Sequence, residues 1–384
     1  MSGTVIIGGG PAGAAAAFAL ARAGRPPLLL ERDPLPTEKV CGEFLAEDAS
    51  RLLRALGLDL AALGAVPITR ALFAAGHRHA ELRLPFDAWS LPRATLDAAL
   101  LGAARDAGAE LRLGALVRGA ERSGQGWRVR LSGGEVLGCR ELVLATGKHE
   151  LRGLPRAAQG GSLGLKLPLR GVAPEAAVAL LLCGGGYAGL QPRPGGGANL
   201  CAALDPTASG VAEAARSAGA LLAHVARGSA LAERLLAALR PAAGRPMAVA
   251  GVPYGFLHRG DGPFRIGDQA AVIPSFCGDG VAMALGSGLH AAAALASGTL
   301  AASHHAAWRR EVRGGMRMAR MLAFLVSTRP RLLVAALGVA PALAGWAALR
   351  TRHGAANAAL VNRARHTGAP TASSAARATS MSSE

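Results

Sequence analysis

An α/β fold with a parallel core of Rossmann type, an inserted antiparallel sheet and a helical C-terminal segment is predicted by three observations on the 384-residue sequence. The apolar run Thr4-Val5-Ile6-Ile7 drops straight into Gly8-Gly9-Gly10-Pro11-Ala12-Gly13 and then an alanine-rich stretch of helical character. A second apolar run, Pro27-Leu28-Leu29-Leu30, ends on Glu31, about twenty residues past the glycines. Between residues 160 and 258 the pattern changes to short strands, the mark of an antiparallel insertion.

Each part of the opening segment has its own physical reason. The β-branched run reads as a buried parallel strand. Gly8, Gly10 and Gly13 occupy the glycine positions of a dinucleotide fingerprint: Gly8 permits the tight turn, Gly10 lets the backbone approach a pyrophosphate, and Gly13 lets the helix lie close on the strand. The phosphate is expected on the positive end of the helix that starts near Pro11 and Ala12, where the missing proline N–H costs nothing. Glu31 can accept from a ribose hydroxyl, and an acid there favours an unphosphorylated adenosine ribose.

The later elements follow from pattern in order. A loop over 32–43 precedes a helix over 44–56, and alternating runs at 68–75 and 80–84 read as an antiparallel excursion. A helix over 91–108, a strand over 110–116 and a hairpin of 127–131 with 135–137 around Ser132-Gly133-Gly134 come next. The strand 141–145 returns to the parallel sheet and ends at Thr146-Gly147. Strands are then expected at 162–170, 176–183, 187–192, 198–204 and 248–256, interrupted by one helical stretch over 211–239. A strand over 264–268 ends in an acid, and a glycine-broken loop leads to a helix over 281–295. The expected organisation is a discontinuous nucleotide-binding domain (1–70, 88–160 and 259–300), a substrate domain (71–87 and 161–258), a basic and apolar helical segment (301–362) and a disordered Ala/Ser/Thr-rich tail (363–384).

Composition narrows the function classes. A hydrophobic content of 51% suits a globular enzyme with a sizeable core, and 4% aromatics means that packing is mainly aliphatic. The net charge of +17 raises the question of nucleic acid, but residues 301–384 alone hold twelve arginines against Glu311 and Glu384 and supply +10 of it. There is no aromatic-basic stripe, zinc-finger spacing or basic heptad segment, so nucleic-acid binding is not expected, and neither is a metal site. Lysine occurs only at Lys39, Lys148 and Lys166. Five widely spaced cysteines, Cys41, Cys139, Cys183, Cys201 and Cys277, suggest reduced thiols. Only three residues stand before the first strand, so no signal peptide is expected and the location expected is cytoplasmic.

Residues 332–349 form eighteen consecutive positions without a charge, flanked by Arg329 and Arg331 before and by Arg350 and Arg352 after. Three readings are open: a helix packed on the protein body or capping a lipophilic pocket, peripheral contact of 329–352 with the inner face of the membrane, or a true span weakened by Gly338, Pro341 and Gly345.

Taken together, Gly8-x-Gly10-x-x-Gly13 with Glu31 and Arg32, the loop Lys39-Val40-Cys41-Gly42-Glu43, Arg93 with Asp97, and Gly267-Asp268 followed by Pro274 and Cys277-Gly278-Asp279-Gly280 resemble one superfamily. It is that of the FAD-dependent monooxygenases of the aromatic-hydroxylase type and the related geranylgeranyl reductases. The resemblance covers about residues 4 to 295 and implies a glutathione-reductase-type FAD-binding domain. It implies FAD as cofactor, with Gly8, Gly10, Pro11, Ala12 and Gly13 on its ADP half and Glu31 and Arg32 at the adenosine ribose. Arg93 is implied near the phosphate or ribityl region and Asp268, after Gly267, on the ribityl chain. The backbone from Gly278 through Asp279 and Gly280 to Val281, entered by Pro274, is implied at the pyrimidine edge of the flavin, where N–H groups at a helix start stabilise a reduced, anionic ring. Cys41, Gly42, Val117, Thr146 and Gly147 complete the implied cofactor set.

Simpler roles stand beside these. Arg93 can anchor a helix to a carboxylate, Asp268 can cap a helix, and Cys41 is either part of a substrate-cavity wall or a structural thiol. Cys277, His149 and His290 are read as structural. One departure from the family concerns Thr146, which stands where its hydroxylases carry an acid before glycine; NADH or NADPH is therefore at most a transient electron donor. The paired-tryptophan motif of flavin halogenases is absent. The leading expectation is hydroxylation of a lipophilic aromatic, polyketide or quinone-type substrate by oxygen transfer. The alternatives are reduction of isoprenoid C=C bonds, with Cys41 in the cavity wall, and a flavin-binding, membrane-associated protein without turnover.

Overall fold

A computed structural model describes residues 2–156, 158, 160–340, 345 and 349–351. The predicted apolar runs build the first, seven-stranded sheet. Ser2–Ile7 lies between Leu28–Glu31 and Val136–Leu144, parallel to both, and Glu110–Leu113 adds outside Leu28–Glu31. Phe264–Arg265 joins the C-terminal end of Val136–Leu144. Val5, Ile6 and Leu29 are fully buried because helices cover one face and a β-meander the other, so these strands read as continuous apolar runs and not as alternations.

Helices Pro11–Arg22, Arg93–Asp106 and Gly280–Ala296 form the helical layer, with Ala14 to Ala17 buried at the contact. A Cβ on Gly288 would stand 2.3 Å from the carbonyl oxygen of Ala12, so the first and last of these helices meet backbone to backbone. Small residues thus close a core that has few aromatics to fill it. On the opposite face Val117–Ser123 and Gly126–Leu131 bring Trp127, Val129 and Leu131 over Val5, Ile7, Leu28 and Leu30. The two short strands expected at 135–137 and 141–145 are one strand, Val136–Leu144: its start pairs antiparallel with Gly126–Leu131 and its end parallel with Ser2–Ile7. Gly138 to Arg140 breaks the apolar pattern but not the ladder, because the partner changes there.

The second sheet has nine strands. The hairpin Val66–Ala75 with Arg78–Ser90, edged by Phe44–Leu45, joins Ala177–Cys183 in parallel, and Gly186–Pro192, Ala198–Leu204 and Ser162–Gly171 continue antiparallel. Leu239–Pro241 and Met247–Val252 both pair with Ser162–Gly171. The single helix expected over 211–239 is three, Val211–Ala214, Ala218–Ala226 and Ala230–Ala237. Ser217 and Ser229 divide it: their hydroxyls accept from the N–H groups of Ala220 and Ala232, each at 3.1 Å, as N-caps.

Ala301–Thr328 is one 28-residue helix, followed after a 115° bend by Pro330–Val339. Pro330 lacks an N–H and restricts Arg329, which lies at φ −138°, ψ 50°. Trp308, Val312 and Met316 pack on Ala271, Ile273 and Met283, while Val334, 1% exposed, packs with Ala75, Ala80 and Leu182. The apolar stretch 332–349 is helical as far as Val339, with Val334 packed on the body and Leu332 and Val339 exposed; most of its remainder and the expected disordered tail 363–384 lie outside the described residues. Among the described residues no single helix is long and apolar enough to cross a membrane; the bent pair meets that composition only as two helices together.

Candidate active site

A cleft of about 530 Å³ opens at the C-terminal ends of the parallel strands and runs to the face of the second sheet. That is where a doubly wound sheet leaves room for a ligand. Gly8, Gly10, Pro11, Ala12, Glu31 and Arg32 line it at one end, and Arg93, Val117, Thr146, Gly147, Gly267 and Asp268 along its length. Cys41, Gly42, Gly278, Gly280 and Val281 line it towards the second sheet. Three residues of the predicted set do not line the cleft. Gly13 is buried, and a Cβ there would stand 2.0 Å from the Gly8 carbonyl oxygen, so its part is the close helix–strand approach. Asp279, 1% exposed, is the N-cap residue of Gly280–Ala296, and Pro274 leads into the turn Ser275–Cys277 before it.

The glycine end lets a ligand approach the backbone closely. Gly8 sits at φ +110°, with a Cβ there only 2.3 Å from the Ala145 carbonyl oxygen. Gly10 caps the helix without a side chain, so the first-turn N–H groups stay open to the cleft. A Cβ on Gly10 would meet nothing nearer than the Arg93 guanidinium, at 3.7 Å. Arg93 does anchor to a carboxylate, with Nε and Nη2 each donating to Asp97 at 3.0 Å, and the anchor aims it at this loop. Burial works against the Arg93 charge, yet Asp97 holds it firmly protonated. The Glu31 carboxylate accepts from the N–H groups of Gly9 (2.6 Å) and Asp33 (3.1 Å), which fixes it at the rim.

Along the cleft, Lys148 Nζ lies 3.1 Å from Asp268 Oδ2, and that carboxylate, against the opposing cost of burial, raises the lysine pKa. Arg156 clamps the two loops together by donating to the Asp268 and Lys148 carbonyls at 3.0 and 2.9 Å. Thr146 donates to the His149 carbonyl at 2.7 Å and so shapes the turn in which an acid was missed. His149 faces Arg32 at 3.3 Å, and burial together with the nearby cations lowers its pKa. His290 lies away from the cleft, 2.8 Å from His304.

The Cys41–Gly42 loop is tied to the second sheet by buried polar groups. Asn199 Nδ2 donates to the Cys41 and Gly42 carbonyls, each at 3.1 Å, and the Cys41 sulfur accepts from the Glu43 N–H at 3.4 Å. Lys166, 0% exposed, donates to Glu38 and to Glu43, the latter at 2.5 Å, and Arg193 donates to Glu38 at 2.5 Å. Glu43 itself sits at φ 64°, a left-handed conformation that a side chain adopts only where its surroundings impose it. The wall across the cleft carries Cys201, Val249, Val252, Tyr254 and Ser275. The Tyr254 and Tyr187 hydroxyls both meet Ser275 Oγ, Tyr254 at 2.8 Å. Burial pushes the Tyr254 phenol and the Cys201 thiol up to about 12 each, so both stay neutral and able to donate.

Sequence reasoning missed Lys148, Lys166, Asn199, Cys201, Tyr254 and Ser275. One signal was present. In a chain whose 42 basic residues are nearly all arginine, the three lysines are retained at or behind this cleft, Lys39 pairing with Asp33 at its rim. Of the three, Lys166 alone sits between two carboxylates, Glu38 and Glu43, where a compact ammonium fits better than a planar guanidinium.

Residues 1–147 match the FAD binding domain family. The chain is 29% identical over 379 residues to a menaquinone reductase of Mycolicibacterium smegmatis, covering 86% of this chain and 85% of that one. It is 32% identical over 185 residues to the FAD-dependent monooxygenase OpS4 of Beauveria bassiana, 43% of either chain. In fold it matches a geranylgeranyl bacteriochlorophyll reductase-like protein of Thermoplasma acidophilum at a TM-score of 0.69 and 18% identity, covering 94% of this chain and 95% of that one. Residues 1–147 thus carry an FAD-binding domain, and along its length the chain is similar to FAD-dependent oxidoreductases, reductases and monooxygenases among them.

Proposed function

We propose that the chain uses FAD to reduce a lipophilic substrate of the isoprenoid-quinone class. The observation that carries this reading is the wall facing the Cys41–Gly42 loop, where Tyr254, Ser275 and Cys201 place O–H and S–H groups beside the apolar Val249 and Val252, and burial keeps Tyr254 and Cys201 protonated. Reduction asks the protein for a proton, whereas activation of a phenol for oxygenation asks it to accept one. The similarity to a menaquinone reductase along most of both chains supports the same side.

In this reading the open N–H groups after Gly10 and the Arg93 guanidinium hold the pyrophosphate, Glu31 the adenosine ribose, Asp268 the ribityl chain, and the backbone from Gly278 to Val281 the pyrimidine edge. FAD, when bound, supplies the electrons. Lys148 holds Asp268 in place, Tyr254 holds the proton to be donated, and Val249 and Val252 give the substrate end an apolar lining. NADH or NADPH, visiting transiently, is the proposed source of electrons.

The test is to mix photoreduced enzyme, free of chemical reductant, with a polyprenyl quinone under argon and in air, beside a control of free reduced FAD without protein. A product that has gained two hydrogens without oxygen supports reduction. A product formed only in air and carrying one added oxygen atom overturns it in favour of monooxygenation, the second reading, which the likeness to OpS4 favours.

A further inference from the structure

Of the ten large apolar side chains exposed among the described residues, five fall on the last helical segment: Met321, Phe324, Leu332, Val339 and Leu349. Phe324 and Leu332 are each 66% exposed and Val339 is 87% exposed. Met321 and Phe324 lie on the outer face of Ala301–Thr328, in line with the exposed Arg313, Arg317 and Arg320; beyond the bend, Leu332 and Val339 share one face of Pro330–Val339. Arg329 and Arg331 flank the bend itself, and none of these five arginines forms an ion pair among the described residues. Apolar side chains among cations without ion pairs match the apolar boundary and negative headgroups of a bilayer surface.

The inner face of the same helix pair points at the cleft. Val326, Val334 and Leu337 pack in one cluster with Tyr187, Tyr254 and Phe276, and Tyr254 is part of the cleft wall. The helix pair therefore packs on the cluster that also holds the cleft-wall residue Tyr254.

We infer that the outer face of the bent helix pair 301–339 docks on an anionic bilayer surface, with Phe324 and Leu332 inserted and Arg313, Arg317 and Arg329 at the headgroups. The inference is independent of which reaction the cleft performs. Docked this way, the molecule sets the Tyr254 wall directly above the lipid that would hold a lipophilic substrate.

The test is co-sedimentation of the full-length, FAD-loaded protein with phosphatidylcholine vesicles, with and without phosphatidylglycerol. Wild type is expected to sediment with the anionic vesicles only, less so as salt rises. The charge-preserving variant Phe324→Ser/Leu332→Ser is expected to partition at least about tenfold more weakly, from the lost burial of two apolar side chains. Reversal of two exposed arginines elsewhere, Arg54→Glu/Arg105→Glu, removes the same bulk charge as a two-site reversal on the patch and is expected to leave more binding than Arg313→Glu/Arg317→Glu. Wild type that stays in the supernatant with anionic vesicles at low salt overturns the inference. So does equal binding of Phe324→Ser/Leu332→Ser, or a wild-type dimer in solution that this variant dissociates, which assigns the face to a second copy of the chain. Flavin absorbance and circular dichroism of each variant confirm that the fold is intact.

Discussion

Replacing Lys166 by methionine tests whether buried charge holds the Cys41–Gly42 loop against the second sheet. The lysine is fully buried and bridges Glu38 and Glu43, and the Glu43 side chain is itself completely enclosed. Methionine keeps the length and bulk of the stem and removes only the ammonium. Glu43 is then left with Arg193, whose Nε is 3.7 Å away, and with the Arg93 N–H at 3.2 Å. Breaking a buried pair by removing one partner costs about 3–5 kcal/mol, a large share of the roughly 5–15 kcal/mol that a domain has available. Burial already pushes the Glu43 carboxyl above its ordinary range despite Lys166. Without the lysine it rises further, so the deficit is full at pH values above the folded-state pKa of Glu43 and shrinks as the pH falls and the carboxyl takes a proton. Urea unfolding of the FAD-loaded protein at two pH values measures this, and the double variant Lys166→Met/Glu43→Gln is expected to recover about 2 kcal/mol or more. Flavin retention on dilution should fall in the single variant and return in the double. A single variant that loses less than about 1 kcal/mol, or two substitutions that simply add, refutes the view that this pair is the tether.

Three further outcomes follow from the same geometry. Gly10→Ala meets only open space and the Arg93 side chain, so the apoprotein should melt near wild type while FAD affinity drops at least about tenfold; Gly13→Ala, with its Cβ 2.0 Å from a carbonyl oxygen, should unfold the domain in the same thermal scan. Tyr254→Phe should lower turnover by about a hundredfold with flavin binding unchanged, as expected for loss of a proton donor, and unchanged turnover in stopped-flow would remove Tyr254 from the chemistry. Burial, with neighbouring histidines and arginines adding to it, holds His304 at a pKa of about 3 and His305 at about 4. Both are neutral in the folded chain, so their contribution is complete above the unfolded value near 6.5 and is lost as pH falls towards 4, by up to about 1.4 kcal/mol per pH unit for each. His304→Gln should flatten that acid limb of the stability profile, measured by denaturant titration between pH 7 and about 4.

The glycine end of the cleft was legible because its parts are close in sequence: the strand, Gly8 to Gly13 and Glu31 lie within one βαβ unit, and Glu31 returns to the Gly9 N–H across only 22 residues. The substrate end was not, because Lys166 reaches Glu43 across 123 residues and Tyr254 meets its partners by tertiary packing that no local pattern encodes. The helical stretch over 211–239 was misread for a different reason: alanine and leucine continue through Ser217 and Ser229, and only the hydroxyls that cap backwards reveal the two breaks. The C-terminal stretch 332–349 carried its apolar character openly. What the run of letters could not separate was the inner face, Val334 and Leu337, from the outer one, Leu332 and Val339, until the bend at Pro330 fixed the rotation of the helix.

The contact of Gly288 with Ala12 makes the cleft behave as a calliper. Helices Pro11–Arg22 and Gly280–Ala296 each begin at the cleft, and they touch through main chain, not through side chains that can repack. The gap between the two helix starts is therefore ruled by the width of a polypeptide backbone, and a methyl group added at Gly288, behind the cleft lining, would open the jaws. Fit to a long cofactor is in this sense measured from behind, by a position whose substitution would read out as lost cofactor and not as a lost contact with it.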